Sequence, residues 1–325
     1  MIDQKLNRGR RVSVAPMLDV TDKHCRFFHR LLSPEALLFT EMVTTGALIF
    51  GDVPRHLDFN VEEHPVALQL GGAEPKDLAY CSKLGEEWGY DEINLNCGCP
   101  SDRVQKGSFG ACLMLEPDLV ADCWVAMNEC TTVPISIKHR LGVDDHNDYE
   151  FVYHFVSKLY DVGCRLFITH ARNAFLKGLS PKDNRSIPPL KYDYVSRLKA
   201  DFPDANFVIN GGISNYELAM QLLEEFDGIM LGRLAWHEPR AFMNIATTEF
   251  ERSEPPNFTF IRDALIGYAK KNIENGGSLR EVVNPVLGFM NGLKGARKFR
   301  QILSNPDLLK RNDISIIGEA FAPFL

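Results

Sequence analysis

The chain contains no apolar run approaching the roughly 18–20 residues that a membrane helix requires, so no membrane span is expected. Its eight cysteines, Cys25, Cys81, Cys97, Cys99, Cys112, Cys123, Cys130 and Cys164, are too sparse among 325 residues for a disulfide scaffold. Free thiols in a reducing cytoplasm are the expectation. No apolar segment follows the polar, basic start at Met1–Arg11, so no secretory signal is expected. An excess of positive charge is also missing. Lys plus Arg is 36 against 43 Asp plus Glu, a net charge of −7. That excludes a wholly basic nucleic-acid binder, although net charge describes the whole surface and binding uses one face. No low-complexity segment is present, and no 20–50-residue repeat beyond a strand–helix period. With 45% hydrophobic residues there is enough apolar material for a sizeable core.

Eight short β-rich runs recur along the chain. They are VSVAPM (12–17), LLFTEM (37–42), PVALQLG (65–71), EINLNCG (92–98), PISIKHR (134–140), LFITHA (166–171), NFVINGG (206–212) and DGIMLGR (227–233). Most are near-continuous apolar stretches, as expected of parallel strands buried on both faces. Amphipathic helical patterns separate them at 22–32, 75–88, 118–130, 148–160, 192–202, 215–226 and 239–250. The connection 44–65 is the least regular. Eight strand–helix units in about 250 residues is the count of a (β/α)8 TIM barrel. A doubly wound open sheet would carry a glycine fingerprint after its first strand; Met17-Leu18-Asp19-Val20-Thr21 stands there instead. The polar segment 251–256 ends in Pro-Pro and reads as a linker. A barrel over 1–250 and a small C-terminal helical domain over 257–325 are expected.

Chemistry in such a barrel sits at the C-terminal strand ends. Gln69, Lys138 and His170 are polar residues inside apolar runs, and a buried polar group needs a partner. Converging on one mouth, they would suit a polar planar ligand. Asn210-Gly211-Gly212 and Gly232-Arg233 end strands seven and eight, where barrels often bind phosphate; plain turns needing positive φ are the other reading. Asn96-Cys97-Gly98-Cys99-Pro100 has no second cysteine pair or nearby histidine, so no metal is expected. One thiol in a loop over the ligand is the remaining reading. Spacing alone does not choose between Cys97 and Cys99. Lys106-Gly107-Ser108-Phe109-Gly110 could form a lid.

These strings, with TEMVTTGAL, SIKHRLGVDD and FITHARNAFLKGLSPKDNRSIPPL, resemble the tRNA-dihydrouridine synthases over roughly 12–240. The stretch GLSPKDNRSIPPL is most similar to the A-type bacterial branch, which reduces U20 and U20a of the D loop. The resemblance implies an FMN-binding barrel followed by a helical tRNA-binding domain, with NADPH as reductant. It implies that Pro16, Met17, Leu18, Gln69, Lys138 and His170 contact the flavin. Asn210, Gly211, Gly212, Gly232 and Arg233 would hold its phosphate. Cys99 would be the proton donor, and Asn96, Lys182, Arg185, Arg297 and Arg300 would meet tRNA. A flavin barrel acting on a small pyrimidine or enoate uses the same cofactor residues and is the alternative. A Schiff-base aldolase through Lys138 and a non-catalytic RNA binder are more distant ones. A monomer is expected.

The charge divides unevenly. Residues 258–325 carry a net +4, so residues 1–257 carry −11. Arg297 and Arg300, three apart, share one face of a predicted helix. A solvated basic face and a localised strip for tRNA are the two readings of that cluster.

Overall fold

The computed structural model describes residues 2–101, 107 and 109–325. Lys106 and Ser108 of the expected lid lie outside the described residues. All eight expected strands are present: β1 Val12–Val14, β2 Leu37–Thr44, β3 Val66–Gly71, β4 Glu92–Cys97, β5 Ile135–His139, β6 Leu166–His170, β7 Asn206–Asn210 and β8 Gly228–Leu231. They pair in chain order and close, β8 onto β1, through parallel ladders. β1 has only three residues, yet it pairs on both sides. The Pro16-Met17 end that the sequence suggested for it lies beyond the ladder.

Closure separates two apolar regions by the period of two along each strand. Outward residues such as Val14, Leu68, Ile93, Leu95, Cys97 and Ile137 join the large outer core beneath the helices. Inward residues Ala15, Leu37, Phe39, Ala67, Ile168, Val208 and Met230 form a small inner core. A helix at Ile2–Arg10, not expected from its polar sequence, brings Leu6 into that inner core. The irregular connection 44–65 holds two short helices, Thr45–Phe50 and Val53–Leu57, and a 3₁₀ turn at Val61–Glu63.

Helix Lys23–Leu32 starts where the side chain of Asp22 accepts the Cys25 N–H at 2.8 Å, a cap worth about 0.5–2 kcal/mol. One turn on, Phe27 and Phe28 meet the C-terminal helices. Phe27 stacks on Tyr268 at 3.9 Å between centroids, and Phe28 meets Phe289 edge-on at 5.5 Å. Phe258 and Phe321 surround Phe289, and Phe299 packs on Phe321. The helices after residue 256 therefore continue the outer core of the barrel. Beneath this joint, Arg26 is buried with Glu63. Its Nε donates to Glu63 Oε2 at 2.5 Å and its Nη1 to the Thr21 carbonyl at 2.8 Å.

Removing one member of that pair strands the other charge away from water. Arg26→Ala is expected to cost about 3–5 kcal/mol. Lys23→Ala, which ablates the exposed pair with Asp58, is expected to cost about 0–1 kcal/mol. Urea unfolding of both variants measures the difference.

Candidate functional site

Strand register assembles the mouth. Gln69 lies beside Asn94, Asn94 beside Ser136, Asn96 beside Lys138, and His170 beside Asn210. Asn96 Nδ2 donates to Gln69 Oε1 at 2.9 Å, and Gln69 Nε2 donates to Asn94 Oδ1 at 2.7 Å. Lys138 Nζ donates to Asn210 Oδ1 at 3.1 Å, while Asn210 Nδ2 donates to the Met230 carbonyl at 2.8 Å. The side chain of Asn210 is thus occupied with orienting Lys138. At the end of β1, Pro16 and Met17 are half-buried and Leu18 is 58% exposed. The chain turns there through Asp19 at φ +58°, whose N–H donates to Glu41.

The loop after β4 separates the two thiols that spacing could not. Cys97 is fully buried in the outer core, and burial pushes its thiol well above the usual range. Cys99 is only partly buried. Asn96 Oδ1 accepts the N–H groups of both Gly98 and Cys99 at 3.0 Å. The Cys99 carbonyl accepts the Ala111 N–H at 2.9 Å. Arg140 braces the same loop, its Nε donating to the Gly98 carbonyl at 3.1 Å.

Arg140 also organises the rim. Its Nη1 donates to the carbonyls of Asn173 and Asn184 at 3.0 and 2.8 Å. Asn184 is buried, and its amide bridges Phe175 and Leu179 across the loop. This loop carries exposed Lys182 and Arg185. Arg233, exposed after β8, donates to Ser186 Oγ and to the Arg185 carbonyl, both at 3.1 Å. It ties β8 to the rim. Arg140 closes the run PISIKHR, which gives it no role in sequence, and nothing in the sequence singles out Asn184. Both act through backbone carbonyls, which leave no spacing signal.

The glycines fit close approach. Gly211 has φ +108°, and a Cβ there would lie 2.6 Å from His170 Cδ2. Gly212 has φ +72°, and its Cβ would meet Leu190 at 2.3 Å. Any side chain at Gly211 would push the His170 ring out of place. Gly232 has more room; its nearest neighbours would be Ala15 and Met17.

Charge in the mouth is one-sided. Burial lowers Lys138 to about 7, with Arg140 acting the same way and Cys99 opposing. Burial holds His170 well below its usual value, and Arg140, Lys138, Arg172 and Arg233 add to the effect. At neutral pH it is a neutral imidazole. Burial lowers Arg140 to about 10. Arg172 Nε is buried without a hydrogen-bond partner among the described residues. Crowded cations with an orphaned N–H fit an anionic ligand. Arg297 and Arg300 lie elsewhere, exposed on helix Ala296–Leu303 with buried Phe299 and Leu303 anchoring its other face. Neither forms an ion pair among the described residues.

Comparison with known proteins points one way. The family model described as dihydrouridine synthase (Dus) matches residues 13–320. A tRNA-dihydrouridine(20/20a) synthase of Pseudomonas putida is 51% identical over 297 residues, covering 91% of this chain and 88% of that protein. The protein of the same name from Xanthomonas axonopodis pv. citri is 51% identical over 294 residues, covering 90% and 88%. That of Pseudomonas syringae pv. tomato is 48% identical over 318 residues, covering 98% and 94%. Among solved structures, a 2-naphthoyl-CoA reductase complex superposes with a TM-score of 0.58 at 9% identity, over 74% of this chain and 50% of the other. At that identity the likeness concerns the barrel alone.

The depressed Lys138 value makes anion binding pH-dependent. Above pH 7 the unliganded site holds Lys138 neutral, and an anion beside it restores the proton. Binding of an anionic ligand beside Lys138 is therefore expected to take up a proton and to weaken by up to about tenfold per pH unit above 7. Titration calorimetry in buffers of different ionisation enthalpy measures the uptake. Lys138→Met is expected to remove this pH dependence.

Proposed function

The chain belongs to the dihydrouridine synthase family, and from that premise we propose that it reduces uridine to 5,6-dihydrouridine at positions 20 and 20a of tRNA in the cytoplasm. FMN is the resident cofactor in this reading and NADPH its reductant. The observation that carries it is the convergence of Gln69, Asn96, Lys138, His170 and a partly exposed Cys99 on one cation-lined mouth.

The residues fit a flavin. Gln69 and the neutral His170 offer hydrogen bonds to a ring edge, and Lys138 offers a cation. Pro16, Met17 and Leu18 supply an apolar contact from β1. Gly211, Gly212, Gly232, Arg233 and the backbone of Asn210 supply the phosphate end, where the orphaned Arg172 Nε also lacks an acceptor. When bound and reduced, the flavin supplies the hydride that C6 of the uracil receives. Cys99 Sγ–H gives the matching proton to C5, so hydride and proton together saturate the C5=C6 bond. The sulfur is left negative and regains a proton from water. Lys138, Arg140 and Arg185 all interact electrostatically with it and offset that charge. Asn96 holds the thiol loop from below while its own edge meets the nucleotide.

The RNA is held in two places. Lys182 and Arg185 project from the rim loop. Arg297 and Arg300 present an exposed basic strip from the helical region 257–325, which we assign to tRNA binding. A target uridine must leave its stack to reach the mouth, at a cost of a few kcal/mol. The small-molecule alternative leaves Arg297 and Arg300 without a function, whereas relatives of nearly full length are named for tRNA.

Mass-spectrometric mapping of tRNA from a deletion strain complemented with this gene tests the reading. Dihydrouridine is expected at positions 20 and 20a, and a colourless protein that cannot be reconstituted with FMN would sink the proposal. Cys99→Ala is expected to keep its flavin and lose about 10²–10⁴-fold in rate. Arg297→Ala with Arg300→Ala is expected to weaken tRNA binding. It should also reduce the slope of log affinity against log salt by about 1–2, read by filter binding across a salt series.

A further inference from the structure

Below the mouth, polar groups of β3, β4 and β5 form a chain of hydrogen bonds that starts at a carboxylate. Glu92 is fully buried at the N-terminal end of β4. Arg10 Nε donates to its Oε2 at 2.8 Å, and Ser136 Oγ donates to its Oε1 at 2.5 Å. Asn94 Nδ2 donates to Ser136 Oγ at 2.8 Å. Gln69 Nε2 donates to Asn94 Oδ1, Asn96 Nδ2 donates to Gln69 Oε1, and the Gly98 and Cys99 N–H groups donate to Asn96 Oδ1.

We propose that Glu92, Ser136 and Asn94 are positioning residues that set the orientation of the Gln69 and Asn96 amides and, through them, the placement of the Cys99 loop. The inference rests on the roles given to Gln69 and Cys99 above.

The chain runs in one direction because both ends demand it. A carboxylate only accepts, so the Ser136 hydroxyl must donate downwards and accept from above. Backbone N–H groups only donate, so Asn96 must turn its oxygen up and its nitrogen down. Each amide between them then has one permitted orientation. Reversing any one sets oxygen against oxygen or N–H against N–H among buried groups, where an unmet hydrogen bond is costly. Glu92 and Ser136 lie on the floor side of the barrel with Arg10, Ser13, Leu37 and Asn206, so they act through other residues.

Stability alone does not call for this chain. Much of the remaining interior of the barrel is filled by apolar residues such as Ala15, Phe39, Ile168, Val208 and Met230. A buried ion pair is commonly no more stabilising than apolar packing of the same volume. What the polar half adds is a defined direction for two amides at the mouth.

Ser136→Ala cuts the chain at one atom, and Ser136→Thr restores the hydroxyl. In flavin-free, full-length protein, iodoacetamide labelling of Cys99 is followed peptide by peptide by mass spectrometry. Ser136→Ala is expected to change the Cys99 rate severalfold, with buried Cys97 still unlabelled, and Ser136→Thr to return it to the wild-type value. In the loaded enzyme the alanine variant is expected to shift the visible flavin band. Its kcat should fall about tenfold to a hundredfold, with KM for tRNA unchanged. Glu92→Gln, whose amide can donate to Ser136 and so permits reversal, is expected to move the same readouts and replaces Ser136→Ala if that variant does not fold. Wild-type labelling rates and spectra in both folded variants, or failure of Ser136→Thr to restore them, would overturn the proposal. If the wild-type protein makes no dihydrouridine, the functional reading fails instead, and the labelling comparison still decides whether the chain of hydrogen bonds places Cys99.

Discussion

Every polar group inside a closed barrel has given up water and must find its partner in the protein. That constraint governs this molecule more than any single contact. Closure of β8 onto β1 leaves no edge for solvent to enter, and alternation along each strand decides which side chains are enclosed. On β1, β2, β7 and β8 the enclosed residues are mostly apolar and pack without direction. On β3, β4 and β5 they include Gln69, Glu92, Asn94, Asn96, Ser136 and Lys138, which satisfy one another or reach to Asn210. The barrel therefore has a soft half and a directed half, and the thiol loop stands on the directed one.

The mouth follows a different rule. There no carboxylate forms an ion pair with the cations among the described residues. Burial holds His170 well below its usual value, with Arg140, Lys138, Arg172 and Arg233 adding to the effect, and Lys138 is driven toward neutrality by burial and Arg140. Such crowding costs stability while the site is empty and is relieved when an anion arrives. A net charge of −7 hides this, because the acidic residues lie mainly outside the mouth. On the β1 side, Glu41 is itself pushed up by burial and is occupied by the Asp19 N–H.

Much of this was legible in the residues, for physical reasons that can be named. Parallel strands buried on both faces read as apolar runs, so all eight were found. Polar intrusions at Gln69, Lys138 and His170 stood out against those runs. Asn94 and Asn96 showed the period of two, and Glu92 continues it one step down, but at a strand's first residue a charge looks like an ordinary boundary. Ser136 is small enough to pass as filler. The helix at Ile2–Arg10 was missed because Leu6 is the only buried apolar side chain among its described ones, and a lone position gives no periodicity. Asn210 was assigned to phosphate by resemblance, and its amide proves to be held between Lys138 and Met230. The ties from Arg140 and Arg233 to backbone carbonyls have no sequence signature, since any residue supplies a carbonyl.

The aromatic joint between helix Lys23–Leu32 and the C-terminal helices bears on how a target is chosen. Phe27 on Tyr268 and Phe28 against Phe289 weld the basic strip of Arg297 and Arg300 to the barrel through a shared core, with Tyr268 Oη and His24 Nδ1 adding a 2.9 Å hydrogen bond. A welded span works as a gauge. The distance from strip to mouth is set by packing, and if the strip binds RNA as proposed, a nucleotide would be admitted by how far along the folded RNA it lies. Discrimination among uridines would then become a matter of length, open to change by repacking the Phe and Tyr side chains of the joint.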